Sequence, residues 1–288
     1  MKRHELTDDQ WALLSEFFPP RKPKRGGQWT DDRLILNGIF WRLNTGAPWR
    51  DLPERYGPWG TVYGRFAALR RSGLLDRILE RLQLRLNKDG FIDLDLFCID
   101  GSNIRAARAA GGAAKKNPPP GEPPDHALGR SRGGFGTKVH LVSDGNGLPL
   151  AVEVTAGQIH ESTQFETVMN KVHISNRRGR PRCRPVRLAG DKGYSYPRIR
   201  SWLRRYGIKD VIPRRSNQRP DDGRHRFDRE SYRRRAVVEQ CVGWLKECRA
   251  VGTRFDKLAV NYLATLKFAL IQRYLRKLSP VTDSPNRA

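Results

Sequence analysis

The sequence lacks any apolar run near the roughly eighteen residues that a membrane-spanning helix needs, and it shows no signal peptide or lipidation motif. Cysteine is scarce and unpaired in pattern. No CxxC motif occurs among Cys98, Cys183, Cys241 and Cys248. A zinc ribbon and a disulfide framework are therefore not expected, and a reducing, intracellular location fits the composition.

Acidic residues are also few. The chain has 30 Asp and Glu against 55 Lys and Arg, which gives a formal net charge of +25. Such an excess predicts a polyanionic partner, most simply nucleic acid, with an anionic membrane as the alternative. Arginine is spread over the whole chain, which argues against a simple basic membrane anchor. At 288 residues the chain can form one large domain, or a small and a medium one.

Residues 1–90 carry apolar side chains at helical spacing and predict a small all-helical domain. Thr7 and Gln10 predict a capping box at the start of the first helix. Short helices joined by tight turns, with arginine on the later ones, favour a helix-turn-helix-like unit that binds DNA. The alternative is a set of core stripes with ordinary exposed arginines. The candidate DNA-binding side chains of this region are Arg65, Arg70 and Arg71.

From residue 91 onward, short strands alternate with helices. Residues 94–100 predict a strand ending at Asp100, and the Asp144-Gly145-Asn146-Gly147 run predicts a hairpin turn. The order predicts an α/β domain over residues 91–278, with a mixed sheet and helices on its faces. Residues 106–134, rich in Pro, Gly and Ala, predict a flexible insertion, and residues 279–288 a disordered tail. Helices are predicted over 161–172, 196–206, 231–249 and 257–278, and strands over 138–143, 148–154, 185–189 and 209–212.

Three acidic residues occupy unusual positions. Asp100 and Asp191 end apolar strands, and Glu239 lies on the predicted helix 231–249. A carboxylate at the end of a buried strand costs free energy unless it is paired or binds a metal. Neighbouring strands would bring the two aspartates together, and three such carboxylates suit Mg²⁺ or Mn²⁺ for phosphoryl transfer. Taken singly, Asp100 also fits a turn residue, and Asp191 a helix cap.

The segment from Tyr232 to Lys246 carries a second pattern. At about 100° per residue, Tyr232, Arg235, Glu239 and Lys246 fall within roughly 60° of one another on a helix. This stripe would hold a metal beside a polyphosphate. The alternative is a solvated helix face on which Arg235 and Glu239 form an ordinary i,i+4 ion pair.

With these motifs the chain resembles the DDE-type transposases of bacterial insertion sequences, close to the IS-five group. The family's Tyr-x2-Arg-x3-Glu-x6-Lys signature is matched by the four residues of the stripe. The segments around the two aspartates, Ile99–Ser102 and Ala189–Tyr194, match the family's first two acidic motifs. Trp41–Leu43 and Gly46–Pro53 resemble the helical domain that precedes such catalytic domains. The resemblance covers roughly residues 5–275.

The resemblance implies an RNase H-like catalytic domain whose metal-binding, catalytic triad is Asp100, Asp191 and Glu239. Mg²⁺ or Mn²⁺ would activate water to cut at the transposon ends, and the released 3′-hydroxyl would attack target DNA. Tyr232, Arg235 and Lys246 would contact DNA. The family implies a homo-oligomer, expected here as a dimer on double-stranded DNA, in the cytoplasm of a bacterium and associated with its nucleoid.

A basic loop precedes the Glu239 helix and predicts a track for the DNA backbone. The alternative is a solvated loop. Two other functions remain open at this stage: a DNA-binding regulator that needs no carboxylates, and a metal-dependent nuclease that cuts without joining. The arginines of the loop are Arg214, Arg215, Arg219, Arg224, Arg226 and Arg229.

Overall fold

The computed structural model describes residues 3–19, 31–113, 117–176, 179–218 and 227–280. Within these ranges the chain forms ten α-helices and one six-stranded sheet. The helices are α1 (Asp8–Ser15), α2 (Asp32–Thr45), α3 (Trp59–Arg71), α4 (Leu74–Lys88), α5 (Phe165–Met169), α6 (Pro197–Arg205), α7 (Arg229–Arg234), α8 (Ala236–Glu247), α9 (Arg249–Gly252) and α10 (Ala259–Leu278). The strands are β1 (Leu96–Arg105), β2 (Gly129–Ser131), β3 (Gly134–Asp144), β4 (Pro149–Ala156), β5 (Arg187–Ala189) and β6 (Lys209–Val211). None of the described helices has the length and apolar character that a membrane crossing requires.

The four amino-terminal helices form where the apolar spacing predicts them. The capping box of α1 is present, since the Gln10 N–H donates to Thr7 Oγ1 at 3.1 Å and the Thr7 N–H donates to Gln10 Oε1 at 3.3 Å. Asp31 caps α2 by accepting from the Arg33 N–H at 2.9 Å. Gly46 ends α2 with a φ of +70°, where a side chain would be strained.

The sheet is mixed, as predicted. Its main order is β4-β3-β1-β5-β6, and β2 pairs with the start of β3. Strand β3 is antiparallel to both β1 and β4, whereas β1, β5 and β6 run parallel. The hairpin turn predicted between β3 and β4 is present, with Gly147 at a φ of +78°. In the parallel half, the carboxyl end of β5 lies beside Cys98 of β1.

The predicted end of the first strand was wrong. Strand β1 continues through Asp100 to Arg105, because the residues after Asp100 pair with β3 from His140 back to Gly136. Asp100 therefore lies in the middle of a strand. The predicted helix 161–172 was also inaccurate, since it begins as a 3-10 turn at Glu161–Gln164 and α5 ends at Met169.

The single helix predicted over 231–249 is divided into α7, α8 and α9. The first division is at Arg235, where the Arg235 N–H donates to the Tyr232 carbonyl and the Val238 N–H donates to the Arg235 carbonyl, both at 3.0 Å. These i,i−3 bonds tighten the backbone locally. The second division is at Cys248, whose backbone is extended. The four signature residues consequently lie on two helices, with Tyr232 on α7 and the others at or within α8.

Helix α10 connects the amino-terminal helices to the sheet. It packs against α1 to α4 and against β4, and one continuous hydrophobic core includes residues from both parts of the chain. Gln83 of α4 donates to the Leu150 carbonyl at 3.0 Å and to the Tyr274 hydroxyl at 2.8 Å. The domain boundary at residue 90 stays a prediction, since the two parts share this core.

Parts of the 106–134 segment make specific contacts. It contains a 3-10 turn at Arg108–Gly111 and strand β2. The buried Glu122 carboxylate accepts from the N–H groups of Ala259 at 2.8 Å and Val260 at 3.0 Å, at the start of α10. These features lie within residues 106–113 and 117–134. The flexibility of the segment as a whole stays a prediction.

Candidate active site

The two aspartates come together because of the strand register. Strands β1 and β5 pair in parallel, with Leu96 opposite Arg187 and Cys98 opposite Ala189. Continuing this register two residues further places Asp100 beside Asp191, immediately after β5 ends. The expectation that neighbouring strands bring these carboxylates together is therefore met by the backbone, although Asp100 does not end its strand.

Asp191 is held in a defined turn. Its Oδ1 accepts from the Gly193 N–H at 2.8 Å and so caps a 3-10 turn at Lys192–Tyr194. Arg215 fixes the same turn by donating to the Lys192 carbonyl at 2.9 Å and to the Gly193 carbonyl at 3.2 Å. Its guanidinium also lies 4.2 Å from the centre of the Tyr196 ring. Arg215 thus positions the backbone around Asp191.

Asp100 is a buried carboxylate among other charges. Its pKa is raised to about 6, mainly by burial and also by the negative charges of Glu161 and Asp191. The Gly101 N–H and the positive charge of Arg235 oppose this rise. The site therefore contains more negative charge near Asp100 than its own protein partners neutralise.

Glu239 joins the site through Arg235. The two side chains form an i,i+4 ion pair, as one of the two sequence interpretations predicted. Burial lowers the pKa of Arg235, but the hydrogen bond to Glu239 and the charges of Glu239 and Asp100 outweigh it, so the pKa is raised. The Glu239 side chain is 55% exposed and that of Arg235 only 15%. Arg235 therefore interacts with the negative charges of both Asp100 and Glu239.

The carboxylates do not form a closed metal site as they are placed. Within the described residues no group of three or more His, Cys, Asp or Glu side chains is arranged to hold a metal ion. Side-chain rotation at the aspartates or at Glu239 is needed for three of them to share one ion.

Two residues near the aspartates were missed by the sequence analysis. Glu161 and Tyr194 both act electrostatically on this region, and the Tyr194 hydroxyl is buried with no hydrogen-bond partner. Glu161 looks in the sequence like an ordinary acidic residue in the first turn of a helix. The available signal was a glycine one or two residues after each aspartate, Gly101 and Gly193, which leaves space for another side chain.

The predicted DNA-binding residues of the signature differ in exposure: Lys246 is exposed, Tyr232 is half-buried and Arg235 is largely buried. Tyr232 packs against Phe227 with ring centres 5.3 Å apart, and the Arg235 guanidinium lies 5.8 Å from the centre of the Tyr232 ring. Lys246 is exposed on α8. Their contacts with DNA stay a prediction.

The other predicted DNA-binding arginines differ in availability. Arg65 forms an ion pair with Asp32 at 2.6 Å and is only 17% exposed, and Arg70 has a buried Nε without a partner. Arg71 is exposed at the end of α3. Arg214 and Arg229 have exposed side chains, and Arg215 donates to backbone carbonyls of the Asp191 turn. Arg219, Arg224 and Arg226 lie outside the described residues.

Two protein families match the chain. The family described as "Transposase DDE domain" matches residues 92–271. The family described as "Putative transposase of IS4/5 family" matches residues 6–79. Together they cover the sheet with its acidic residues and the amino-terminal helices.

Individual proteins and a solved structure also show similarity to the chain. "Putative transposase for insertion sequence element IS402" of Burkholderia cepacia is 34% identical over 134 residues, which cover 46% of this chain and 59% of that protein. "Uncharacterized protein y4sN" of Sinorhizobium fredii is 35% identical over 107 residues, which cover 37% of this chain and 81% of that protein. A solved structure, "Crystal structure of a pre-cleavage Mos1 transpososome", aligns with 93% of this chain and 86% of that chain at 12% identity and a TM-score of 0.23.

Proposed function

The chain belongs to the DDE transposases of the IS4/5 family, and we propose that it binds the terminal repeats of an insertion sequence and catalyses metal-dependent DNA cleavage and strand transfer. The observation that supports this proposal is the parallel pairing of β1 with β5 as far as Cys98 and Ala189, since two further residues in this register would set Asp100 beside Asp191. The Arg235–Glu239 pair on the facing helix supplies the third acid.

Asp100, Asp191 and Glu239 are the proposed ligands of Mg²⁺ or Mn²⁺. Burial and neighbouring negative charges raise the pKa of Asp100 to about 6. A cation fits this site because its positive charge would stabilise the ionised carboxylate against both effects. The unpartnered Tyr194 hydroxyl beside these carboxylates also fits a site that is completed by a bound group. When bound, the ion lowers the pKa of an attacking water or 3′-hydroxyl and neutralises charge on the phosphate.

The surrounding arginines hold the acids in place. Arg215 fixes the turn that carries Asp191 through two backbone carbonyls. Arg235 is largely buried between Asp100 and Glu239 and orients the glutamate. Because Glu239 is paired with Arg235, it has to exchange part of this contact for the cation. We propose that phosphate oxygens of DNA then take over the charge of Arg235.

The proposed partner is double-stranded DNA, both transposon end and target. The net charge of +25 supports a strongly salt-dependent affinity for phosphate backbones. The proposed DNA contacts are made by Tyr232, Lys246 and the exposed Arg71 and Arg214, with two protein copies pairing the two ends. A DNA partner of this kind would place the protein at the bacterial nucleoid.

The experiment uses a labelled duplex that carries the terminal repeat of the parent element, incubated with the full chain and Mg²⁺. Wild type should yield cleaved and joined strands. Glu239→Gln should bind the duplex without cutting it. The control is Glu247→Gln, the same substitution at an exposed position of the same helix, which should behave like wild type.

The alternatives give different outcomes. Cleaved strands that are never joined would indicate a nuclease with the same fold. Binding without cleavage by wild type, in Mg²⁺ and in Mn²⁺, would indicate a DNA-binding regulator. Equal cleavage by wild type and Glu239→Gln would remove Glu239 from the triad.

A further inference from the structure

We propose that Glu161, which packs against Gly101 and lies near the Asp191 turn, is a fourth carboxylate of the catalytic centre, and that it takes part in holding the divalent cation. This inference rests on the proposed function. It extends the metal-binding set to a residue outside the triad that the family resemblance implies.

Glu161 fills the space left open by two glycines. A Cβ atom on Gly101, the residue after Asp100, would lie 2.4 Å from Glu161 Cγ and 2.8 Å from its Cδ. A Cβ atom on Gly193 would lie 2.8 Å from Asp191 Oδ1 and 3.3 Å from Glu161 Oε2. The carboxylates of Asp191 and Glu161 therefore border the same point in space. Any side chain at either glycine would compete with Glu161 for its position.

The backbone of Glu161 is held in place by the element that follows Asp191. His160 caps the turn by accepting from the Ser162 N–H at 3.2 Å, and its ring meets that of Tyr196 edge-to-face at 5.7 Å. Arg198 of α6 donates to the Ser162 carbonyl. Because Tyr196 and Arg198 also belong to the chain just after the Asp191 turn, the two acids are fixed relative to each other.

A buried hydroxyl provides independent support for a ligand at this point. Tyr194 is fully buried, and its hydroxyl has no hydrogen-bond partner in the described part of the chain. Burial raises the pKa of Tyr194, and the charges of Glu161, Asp100 and Asp191 raise it further. A buried phenol that has no hydrogen-bond partner, and whose pKa responds to three carboxylates, supports a site that is completed by a bound ion.

The competing role for Glu161 is to neutralise Lys138. Lys138 Nζ lies 3.2 Å from Glu161 Oε1, and both side chains are mostly buried, at 12% and 20% exposure. An ion pair of this kind is a sufficient structural reason for a glutamate here. The two roles differ in one respect: removing Lys138 removes the ion pair but leaves the carboxylate beside the aspartates.

The test measures Mn²⁺ binding to the full chain without DNA, from the electron paramagnetic resonance signal of free Mn²⁺. Glu161→Gln should weaken Mn²⁺ binding by about tenfold or more, as loss of a ligand or of its supporting group does in metal sites. Lys138→Met should bind Mn²⁺ as tightly as wild type or more tightly, because its removal frees the carboxylate. Glu166→Gln, an exposed glutamate on α5, is the control and should match wild type.

Two results would overturn the proposal. The first is wild-type Mn²⁺ binding by Glu161→Gln. The second is equal weakening by Glu161→Gln and Lys138→Met, which would assign Glu161 to the ion pair alone. Glu161→Asp keeps the charge on a shorter side chain, and its affinity for Mn²⁺ should lie between those of Glu161→Gln and wild type. Thermal melts establish that each variant is folded.

Asp100→Asn separates this proposal from the proposed function. If Asp100→Asn abolishes DNA cleavage while Glu161→Gln binds Mn²⁺ and cleaves like wild type, only the role of Glu161 fails. If Asp100→Asn cleaves DNA like wild type, the proposed function itself fails at this site.

Discussion

Asp100 and Asp144 lie on adjacent strands of the same sheet, and burial raises the pKa of each to about 6. Their partners are different. The Asp144 carboxylate accepts from three backbone N–H groups, those of Asp93 at 2.8 Å, Asn146 at 3.0 Å and Leu148 at 2.7 Å. The carboxylate of Asp100 has the Gly101 N–H, and negative charges from Glu161 and Asp191 stand beside it.

The comparison shows that burial alone does not identify a functional carboxylate. Asp144 is buried because the hairpin turn needs its oxygens, and the turn supplies donors that offset the cost of burial. Around Asp100, by contrast, the fold gathers further acids. A buried carboxylate whose nearest groups are other carboxylates needs a cation, and this difference separates the site from the turn.

The largest predicted difference between the two aspartates is in DNA cleavage. Asp100→Asn should reduce strand cleavage by at least about 10³-fold, because removing one residue of a group that acts as a unit costs nearly as much as removing them all. Asp144→Asn should retain cleavage per folded molecule within a few fold. Cleavage of the labelled terminal duplex at fixed concentrations of folded protein measures both. Comparable losses in the two variants would mean that the contrast between their surroundings has no functional meaning.

The next predicted difference is in stability without metal, and it has the opposite order. Asp144→Ala should lower the free energy of unfolding by about 1–3 kcal/mol, because buried N–H donors lose their acceptor. Asp100→Ala should cost less than this or add stability, since it removes a buried negative charge from beside two others. Urea titrations with chelator present measure both changes. A larger loss for Asp100→Ala would show that its carboxylate has a structural partner.

The pairing of Asp100 with Asp191 could be predicted from the sequence because it depends on local patterns. Two apolar segments of strand character each carry an aspartate at their end, and parallel strands bring such ends together. The length of β1 could not be predicted. Apart from Ile104, residues 101–105 are polar or small, and they form a strand by pairing with β3 across the intervening insertion.

Glu161 could not be predicted, because its position depends on tertiary structure. It reaches the aspartates through the turn after β4, and that turn is fixed by contacts with α6, more than thirty residues later in the chain. The division of the last helices is similar. Their composition fits one helix, and neither break, at Arg235 or at Cys248, is marked by a proline or glycine in the sequence.

The pH dependence of stability provides a third comparison. The pKa of each aspartate is raised from 3.8 to about 6 on folding, so the folded protein holds both protons more tightly than the unfolded chain. This stability is fully present below about pH 4 and is lost as the pH rises to about 6. With chelator present, Asp144→Asn and Asp100→Asn should each reduce the slope of the free energy of unfolding against pH between about pH 4 and 6. Mn²⁺ should remove the contribution of Asp100 alone; an equal effect of Mn²⁺ on both would contradict a site at Asp100.

The smallest predicted effects concern one glycine near each aspartate. Gly147 has a φ of +78° in the Asp144 turn, so Gly147→Ala should cost about 1–2 kcal/mol of stability and leave Mn²⁺ binding unchanged. Gly101 has an ordinary backbone, but its added methyl group would collide with the flexible Glu161 side chain. Gly101→Ala should therefore weaken Mn²⁺ binding several-fold by displacing Glu161, with a smaller change in stability. If the stability loss of Gly101→Ala exceeded that of Gly147→Ala while Mn²⁺ binding stayed normal, the space beside Asp100 would serve packing and not the ion.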